Sequence, residues 1–205
     1  MTLPSGYIRL EYIESTGTQY INTGFVPDGN SKLHIKVQTS TSKGVITGCD
    51  KGYRVSSFML AVTIASFNTG SGAISVADGK THEIDFSAGT LKIDGATKSN
   101  PGSGALSTDL SVYLYGNNRS GSPSELIAGN IYECILYDGD TKVREFIPCK
   151  NASGVVGMWD NVNSQFYTNA GTGAFAAGPE IHESGIFVKV NDEWKQIDNV
   201  TVNVR

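Results

Sequence analysis

The sequence predicts an all-β protein, either a sandwich or a barrel, on three observations. Apolar and polar residues alternate with a period of two in many short segments, as they do in strands that bury one face. Glycine is abundant, at 24 of 205 residues, and no window of a dozen residues carries an apolar stripe at helical spacing. Turn dipeptides separate the alternating segments. They are Asp28-Gly29, Asp78-Gly79, Asp94-Gly95, Asn100-Pro101 and Asp138-Gly139.

The clearest alternating segment covers residues 32–38, where Leu33, Ile35 and Val37 are separated by polar side chains. This pattern puts one face of a strand in a core and the other in water. Later segments repeat it, and each is predicted to form a strand. Their apolar residues are Phe58, Leu60, Val62 and Ile64, then Ile84 with Phe86, Leu91 with Ile93, Val112 with Leu114, and Ile131, Ile135 and Tyr137.

A change of composition near Gly178-Pro179 divides the chain into a body, residues 1–178, and a C-terminal strand appendage, residues 179–205. Within the appendage, two apolar segments flank Asn191-Asp192, which is typical of a hairpin or of two strands that need a partner. A two-stranded hairpin is marginally stable alone, so we expect it to pack on the body or on another chain. The predicted attachment or oligomer contacts are Phe187, Val188, Val190, Trp194, Val200 and Val202.

Charge and cysteine content exclude several classes of protein. The net charge is −4 and the 16 basic residues are scattered, so we expect no nucleic-acid partner. No stretch approaches 18 consecutive apolar residues, which predicts no membrane span. The first ten residues lack a secretory signal, so we expect folding in the cytoplasm. Cys49, Cys134 and Cys149 are too dispersed for a disulfide framework and are predicted to be small buried hydrophobes.

The search for catalytic residues predicts that the protein is not an enzyme. Glu83 and Asp85 share one face of a predicted strand, as the paired acids of a glycosidase would. The laminarinase-like glycosidases of the sandwich class carry a third acid two or three residues further on. Here those positions hold Ser87 and Ala88, so we interpret Glu83 and Asp85 as the solvated face of a strand.

No cofactor or metal is predicted. Asp138-Gly139-Asp140 resembles the start of a calcium loop but lacks the later ligands, so a plain turn is favoured. Some sandwiches bind calcium at loop carboxylates, which leaves a weak calcium site open. The three histidines, His34, His82 and His182, are too far apart for a metal-ligand motif.

One segment has the composition of a sugar-binding site. Sugar recognition uses an aromatic ring that stacks on the sugar, with polar side chains that bond its hydroxyls. Tyr113 and Tyr115 are predicted to share a strand face, and Asn117, Asn118 and Arg119 to follow in a loop. These five residues are the candidate ligand site, beside the alternative of an ordinary strand with a polar loop. Tyr53 and Trp159 are weaker candidates.

Five segments of the chain resemble one known family. Residues 10–25, 129–138, 143–149, 154–160 and 166–173 resemble the laminin G-like, concanavalin A-like modules of bacteriophage structural proteins and gut-bacterial surface proteins. Between them, residues 43–110 match in strand rhythm alone. The resemblance implies a two-sheet antiparallel jelly-roll sandwich. It also implies a role in binding and architecture.

Residues 187–195 resemble short strand repeats at the C-termini of phage structural proteins. We therefore expect a virion surface protein, namely a capsid decoration, head-fibre or tail component, which assembles in the host cytoplasm. Its expected partners are other virion proteins and cell-surface or mucus glycans. A cyclic homo-oligomer such as a trimer fits this role. The alternative is a carbohydrate-binding module or adhesin domain on a bacterial cell surface.

Overall fold

The structure, a computed structural model, describes residues 3–181, 186–190 and 193–197, and all the regular elements in them are strands. No helix among these residues is long and apolar enough to cross a membrane. The strands are β1 (Tyr7–Arg9), β2 (Ile13–Thr16), β3 (Ile21–Asn22), β4 (Ser31–Gln38), β5 (Val45–Asp50), β6 (Ser57–Ala61), β7 (Ile64–Asn68), β8 (Gly72–Ala73), β9 (Thr81–Ser87), β10 (Thr90–Ile93), β11 (Ala96–Thr97), β12 (Tyr113–Leu114), β13 (Asn117–Arg119), β14 (Ser122–Ser124), β15 (Ala128–Asp138), β16 (Thr141–Asn151), β17 (Val156–Asp160), β18 (Gln165–Tyr167), β19 (Ala176–Ala177), β20 (Ile186–Val190) and β21 (Glu193–Ile197).

Two sheets make up the body. The larger sheet has eleven strands in the order β11-β10-β9-β4-β15-β16-β17-β18, with β1 beside β16, β2 beside β15 and β19 beside β2. The smaller sheet has eight strands in the order β14-β13-β5-β6-β7-β8, with β12 between β3 and β5. Pairing is antiparallel except between β13 and β5. The predicted all-β, two-sheet sandwich is confirmed, with a jelly-roll-like arrangement.

A single apolar cluster fills the space between the two sheets. Ile35 and Leu136 enter it from the larger sheet, and Leu60 enters it from the smaller one. Phe58 and Phe86 meet across the layers, with ring centroids 5.0 Å apart. Burying each large apolar side chain stabilises the fold by roughly 1.5–3 kcal/mol, so this cluster is the main favourable term.

The period-two pattern is confirmed in β4, where each apolar residue is buried and the polar residues between them are less so. It is wrong for the segment that starts at Phe58. There β6 is buried on both faces and ends at Ala61, and Ile64 belongs to the next strand. Val45, Met59 and Ala61 form a second apolar cluster on the outer face of the smaller sheet, and Ile64 packs against it. The unbroken apolar sequence of β6 therefore serves two clusters at once.

The chain remains paired with the body up to Ile181. Beyond β19, Leu10 bridges Glu180, and the Ile181 N–H donates to the carbonyl of Arg9 at 2.9 Å. In the appendage, β20 and β21 pair antiparallel, with Val190 opposite Glu193, and Asn191-Asp192 lie outside the described residues. Four predicted contacts, Phe187, Val188, Val190 and Trp194, lie on these two strands, whereas Val200 and Val202 lie outside the described residues.

A histidine joins two turns at the edge of the larger sheet. The ring of His82 in β9 contacts Asp94 through Nδ1 at 2.8 Å and Asp78 through Nε2 at 3.0 Å. Burial lowers the pKa of His82, but the hydrogen bonds to Asp94 and Asp78 raise it above its ordinary value of 6.5. Hydrogen bonds hold the pKa of both carboxyls below 3.8. The contacts are therefore strongest when the imidazole is charged and both carboxyls are ionised.

We predict that replacing His82 with Asn destabilises the protein mainly between pH 3.8 and pH 6.5. A raised histidine pKa gives stability below 6.5 that is lost as pH rises through the folded value, and lowered aspartate pKa values give stability above 3.8 that is lost in acid. Urea unfolding across pH measures the difference. In an Asp78→Asn/Asp94→Asn background the same substitution should lose this pH dependence. A difference that is constant with pH would contradict the assignment.

Candidate functional site

A groove of about 670 Å³ runs over the outer face of the smaller sheet, and we call it the outer groove. It follows β5 and β6 from the loop at 42–44 to the loop at 51–56, which we call the rim loop. The second apolar cluster forms its floor. Because that cluster lies on the face turned away from the core, the groove opens to solvent on a rigid, hydrogen-bonded sheet. The other side chains that line it include Lys43, Tyr53, Arg54, Thr63, Arg119 and Glu125.

The rim loop holds three non-glycine residues in the left-handed region, Tyr53 with φ 49°, Arg54 with φ 63° and Ser56 with φ 49°. This conformation costs an L-residue about 1 kcal/mol. The loop is closed by backbone hydrogen bonds from Val55 to Gly52 and from Lys51 to Val55, both 3.0 Å long. Tyr53 is fully exposed, at 102% of its reference area. An exposed aromatic ring held by a strained backbone is a frequent feature of binding sites.

A buried carboxylate organises this end of the groove. Asp50 is 0% exposed, and one of its oxygens, Oδ1, accepts a hydrogen bond from the Gly52 N–H at 2.7 Å. Its Oδ2 accepts from Asn117 Nδ2 at 3.0 Å. The Nε of Arg119 lies 3.5 Å from Asp50 Oδ1, and another nitrogen of the same guanidinium donates to Glu125 at 2.6 Å. Because a buried charge must be paired, Asp50 joins the start of the rim loop to Asn117 and lies beside Arg119.

The structure corrects the predicted position of Tyr115. We expected its ring on an exposed strand face beside Tyr113, but Tyr115 is 1% exposed and packs in the core. Strand β12 ends at Leu114, and the positive φ of 64° at Tyr115 turns its side chain inward. Its hydroxyl donates to the carbonyl of Ile13 and accepts from the N–H of Ile131 at 2.9 Å. The ring is therefore unavailable for stacking on a ligand.

Of the other four predicted site residues, one lines the outer groove and three do not. Arg119 lines the outer groove. Asn117 and Asn118 are buried in β13, where we predicted a loop, and Asn118 donates to the carbonyl of Ser111 at 2.8 Å. Tyr113 is buried and stacks on Tyr20 with ring centroids 4.7 Å apart. Ligand binding by Tyr113, Asn117 and Asn118 stays a prediction.

Two weaker candidates from the sequence have different surroundings. Tyr53 lies on the rim loop and lines the outer groove. Its signal in the sequence is weak, because it is only an aromatic residue beside Gly52 in a short segment between two predicted strands. Trp159 is half-buried at the other sheet, where its ring centroid lies 5.0 Å from that of Tyr7. The pairing of β13 with β5 is what brings Arg119 toward the rim loop, and sequence spacing does not reveal it.

The acids on β9 are exposed, which confirms their interpretation as the solvated face of a strand. Each lies beside a basic side chain of β4, since Glu83 is 3.9 Å from Lys36 and Asp85 is 2.8 Å from His34. The first is a cross-strand charge pair and the second a cross-strand hydrogen bond, and such pairs stabilise sheets modestly. Within the described ranges, no group of three or more His, Cys, Asp or Glu side chains is placed to hold a metal ion.

The three cysteines are free and buried, as predicted. Burial raises the pKa of Cys49 and of Cys149 to about 12, and burial also raises the pKa of Cys134. At neutral pH the thiols are therefore protonated and weak as nucleophiles. The segment Asp138-Gly139-Asp140 forms the turn between β15 and β16, with Gly139 at φ 59° and Asp140 paired with Lys32 at 2.7 Å.

Comparison of the sequence with models of known protein families and with curated proteins finds no match. The case for a function therefore rests on the outer groove itself and on the sequence features above.

We predict that Tyr115→Phe lowers the free energy of unfolding by about 1–3 kcal/mol, because it leaves the buried Ile13 carbonyl and Ile131 N–H without their partner. Urea unfolding provides the measurement. Tyr113→Phe is the matched control, since the Tyr113 hydroxyl makes no hydrogen bond with the described residues, and it should change stability by less than about 0.5 kcal/mol. Equal effects of the two substitutions would show that the Tyr115 hydroxyl does not join these strands.

We predict that Tyr53→Gly stabilises the protein by about 1 kcal/mol relative to Tyr53→Ala, because glycine adopts the left-handed conformation without strain. Both changes remove the same exposed ring, so they differ only in the backbone. Thermal and urea unfolding of the two variants give the difference. If Tyr53→Gly is the less stable of the two, the rim loop is not strained at this residue.

Proposed function

We propose that this protein is a non-enzymatic structural component of a virion surface whose sandwich binds glycans in the outer groove. The observation that carries the binding part is the meeting of Tyr53, Arg54 and Arg119 at an open groove with an apolar floor. Sugar rings stack on exposed aromatic faces, and guanidinium groups bond their polar substituents. The residues around the groove supply both kinds of contact.

The sheet beneath the groove favours a binding site that is already formed before the ligand arrives. Strands β5 and β6 are paired on both sides, so the floor keeps its shape when a ligand arrives. Before any ligand binds, Arg119 lies 3.5 Å from Asp50 and donates a hydrogen bond to Glu125 at 2.6 Å. A site that is ordered in advance loses little conformational entropy on binding. Such a site suits a ligand that binds weakly at each copy and is presented in many copies on a surface.

The virion part of the proposal rests on the sequence resemblance and on the appendage. A two-stranded hairpin offers unpaired strand edges, and such edges add to a sheet of another chain. We propose that β20 and β21 attach the protein to other virion proteins or to its own copies, as a homo-oligomer such as a trimer. A module on a bacterial cell surface, the alternative, would use the same outer groove without virion partners.

A glycan array probed with the full chain tests the binding part. We expect Tyr53→Ala to weaken binding to the glycans retained by the wild type by about tenfold, since stacking on an aromatic ring contributes on the order of 1–1.5 kcal/mol. The matched control is Tyr137→Ala, which removes a half-buried tyrosine from the larger sheet. Absence of binding to any glycan, or equal effects of the two substitutions, would contradict a glycan site in the outer groove.

Deletion of residues 186–205 tests the proposed attachment to the virion. We expect the shortened chain to keep its glycan binding, which also shows that its body is folded, and to be missing from purified particles by mass spectrometry. Full incorporation of the shortened chain would contradict attachment through the hairpin. Absence of the full chain from purified particles would contradict the virion assignment and leave the glycan site standing.

A further inference from the structure

We propose that the outer groove selects saccharides that carry carboxylate groups, such as uronic acids, over neutral ones; this rests on the proposed glycan binding. The charged side chains that line the groove are Lys43, Arg54, Arg119 and Glu125, and the buried Asp50 lies 3.5 Å from Arg119, so three positive charges face two negative ones. The chain as a whole has a net charge of −4, so the excess of positive charge at the groove runs against the overall balance. A local field of this sign attracts anionic ligands.

Two of these cations have no partner among the described residues. Seven of the thirteen Lys and Arg residues in the described body pair with acids, for example Lys51 with Asp109 at 3.5 Å. By contrast, Lys43 and Arg54 are exposed and make no ion pair within the described ranges. Arg54 therefore keeps its whole guanidinium for a ligand, and a planar guanidinium matches a carboxylate with two parallel hydrogen bonds.

The neighbours of Arg54 suit an acidic sugar ring. Tyr53 precedes it on the strained rim loop with its ring fully exposed, so a sugar can stack on the ring while its carboxylate reaches a guanidinium. One guanidinium nitrogen of Arg119 donates a hydrogen bond to Glu125, and another lies 3.5 Å from Asp50. These two carboxylates largely balance the charge of Arg119. We therefore assign the main carboxylate contact to Arg54 and a supporting one to Lys43 at the other end of the groove.

A saccharide fits this surface better than an acidic peptide does. Extended peptides bind sheets by adding a strand to a free edge, where main-chain hydrogen bonds give affinity. The groove instead lies over β5 and β6, whose edges are already occupied by neighbouring strands. Its floor offers only apolar side chains, and its polar contacts come from side chains at the walls, which is the kind of contact that a sugar requires.

Isothermal titration of the full chain with a hexamer of galacturonic acid, and with the same hexamer after methyl esterification, tests the proposal. The two probes share every ring and differ in the carboxylates. We expect the acid to bind at least about tenfold more tightly than the ester, the order of a charge-assisted hydrogen bond, and this ratio to shrink as salt increases. Arg54→Gln should remove most of the ratio.

Lys92→Gln is the matched control, because it removes the same charge from an exposed strand position in β10, away from the residues that line the groove, and should leave the ratio unchanged. Equal binding of the acid and the ester would overturn the selectivity while leaving glycan binding intact. Tighter binding of polyglutamate than of the acid hexamer would overturn the choice of a saccharide. If Arg54→Gln and Lys92→Gln reduce the ratio equally, the effect is one of net charge and the assignment to Arg54 is wrong.

Discussion

The hydroxyl of Tyr115 joins the two layers of the sandwich at a point where the larger sheet is irregular. Strand β15 has a bulge after Ile131, where its pairing with β4 shifts register. The N–H of Ile131 donates to the tyrosine hydroxyl, and the hydroxyl donates to the carbonyl of Ile13 on the neighbouring β2. An unpaired N–H at that depth would cost more than the bond itself contributes. One side chain that follows the smaller sheet thus satisfies the backbone of the larger one and fixes how the layers face each other.

The requirement that buried polar groups have partners also determines the arrangement on the outer face of the smaller sheet. Asp50 is a buried carboxylate, and its partners are the backbone of Gly52, the amide of Asn117 and the guanidinium of Arg119. Satisfying this one charge ties the start of the rim loop to β13, and Arg119 lies beside it. The left-handed backbone at Tyr53 and Arg54 lies in a loop that is held at both ends by the paired strands β5 and β6, which is how a fold supports an unfavourable local conformation.

On the proposed function, the body and the appendage perform separate tasks. The body holds a groove beside an exposed aromatic residue and two cations that make no ion pair within the described ranges, and the appendage contains the antiparallel pair β20 and β21. The apolar residues of the groove floor belong to a cluster separate from the main core, so a ligand bound there need not disturb the packing between the layers. The cysteines are buried and protonated, and the acids on β9 pair with side chains of β4.

Period-two alternation, turn dipeptides and the scarcity of helical spacing were enough to predict an all-β sandwich or barrel, the strand at residues 32–38 and a pair of strands in the appendage, whereas the choice of a sandwich came from the sequence resemblance. These signals are local, because a strand and its turn are encoded by residues next to one another. Arg119 was a candidate from its local composition, and its part in ligand binding stays a prediction. The site as a whole was decided by tertiary structure: burial of Tyr115 follows from one backbone angle, and the approach of Arg119 to the rim loop follows from pairing between β13 and β5, which are far apart in sequence. The exposure of Tyr53 and its left-handed backbone depend on the tertiary structure around the loop, and the alternation of apolar and polar residues in the sequence does not predict them.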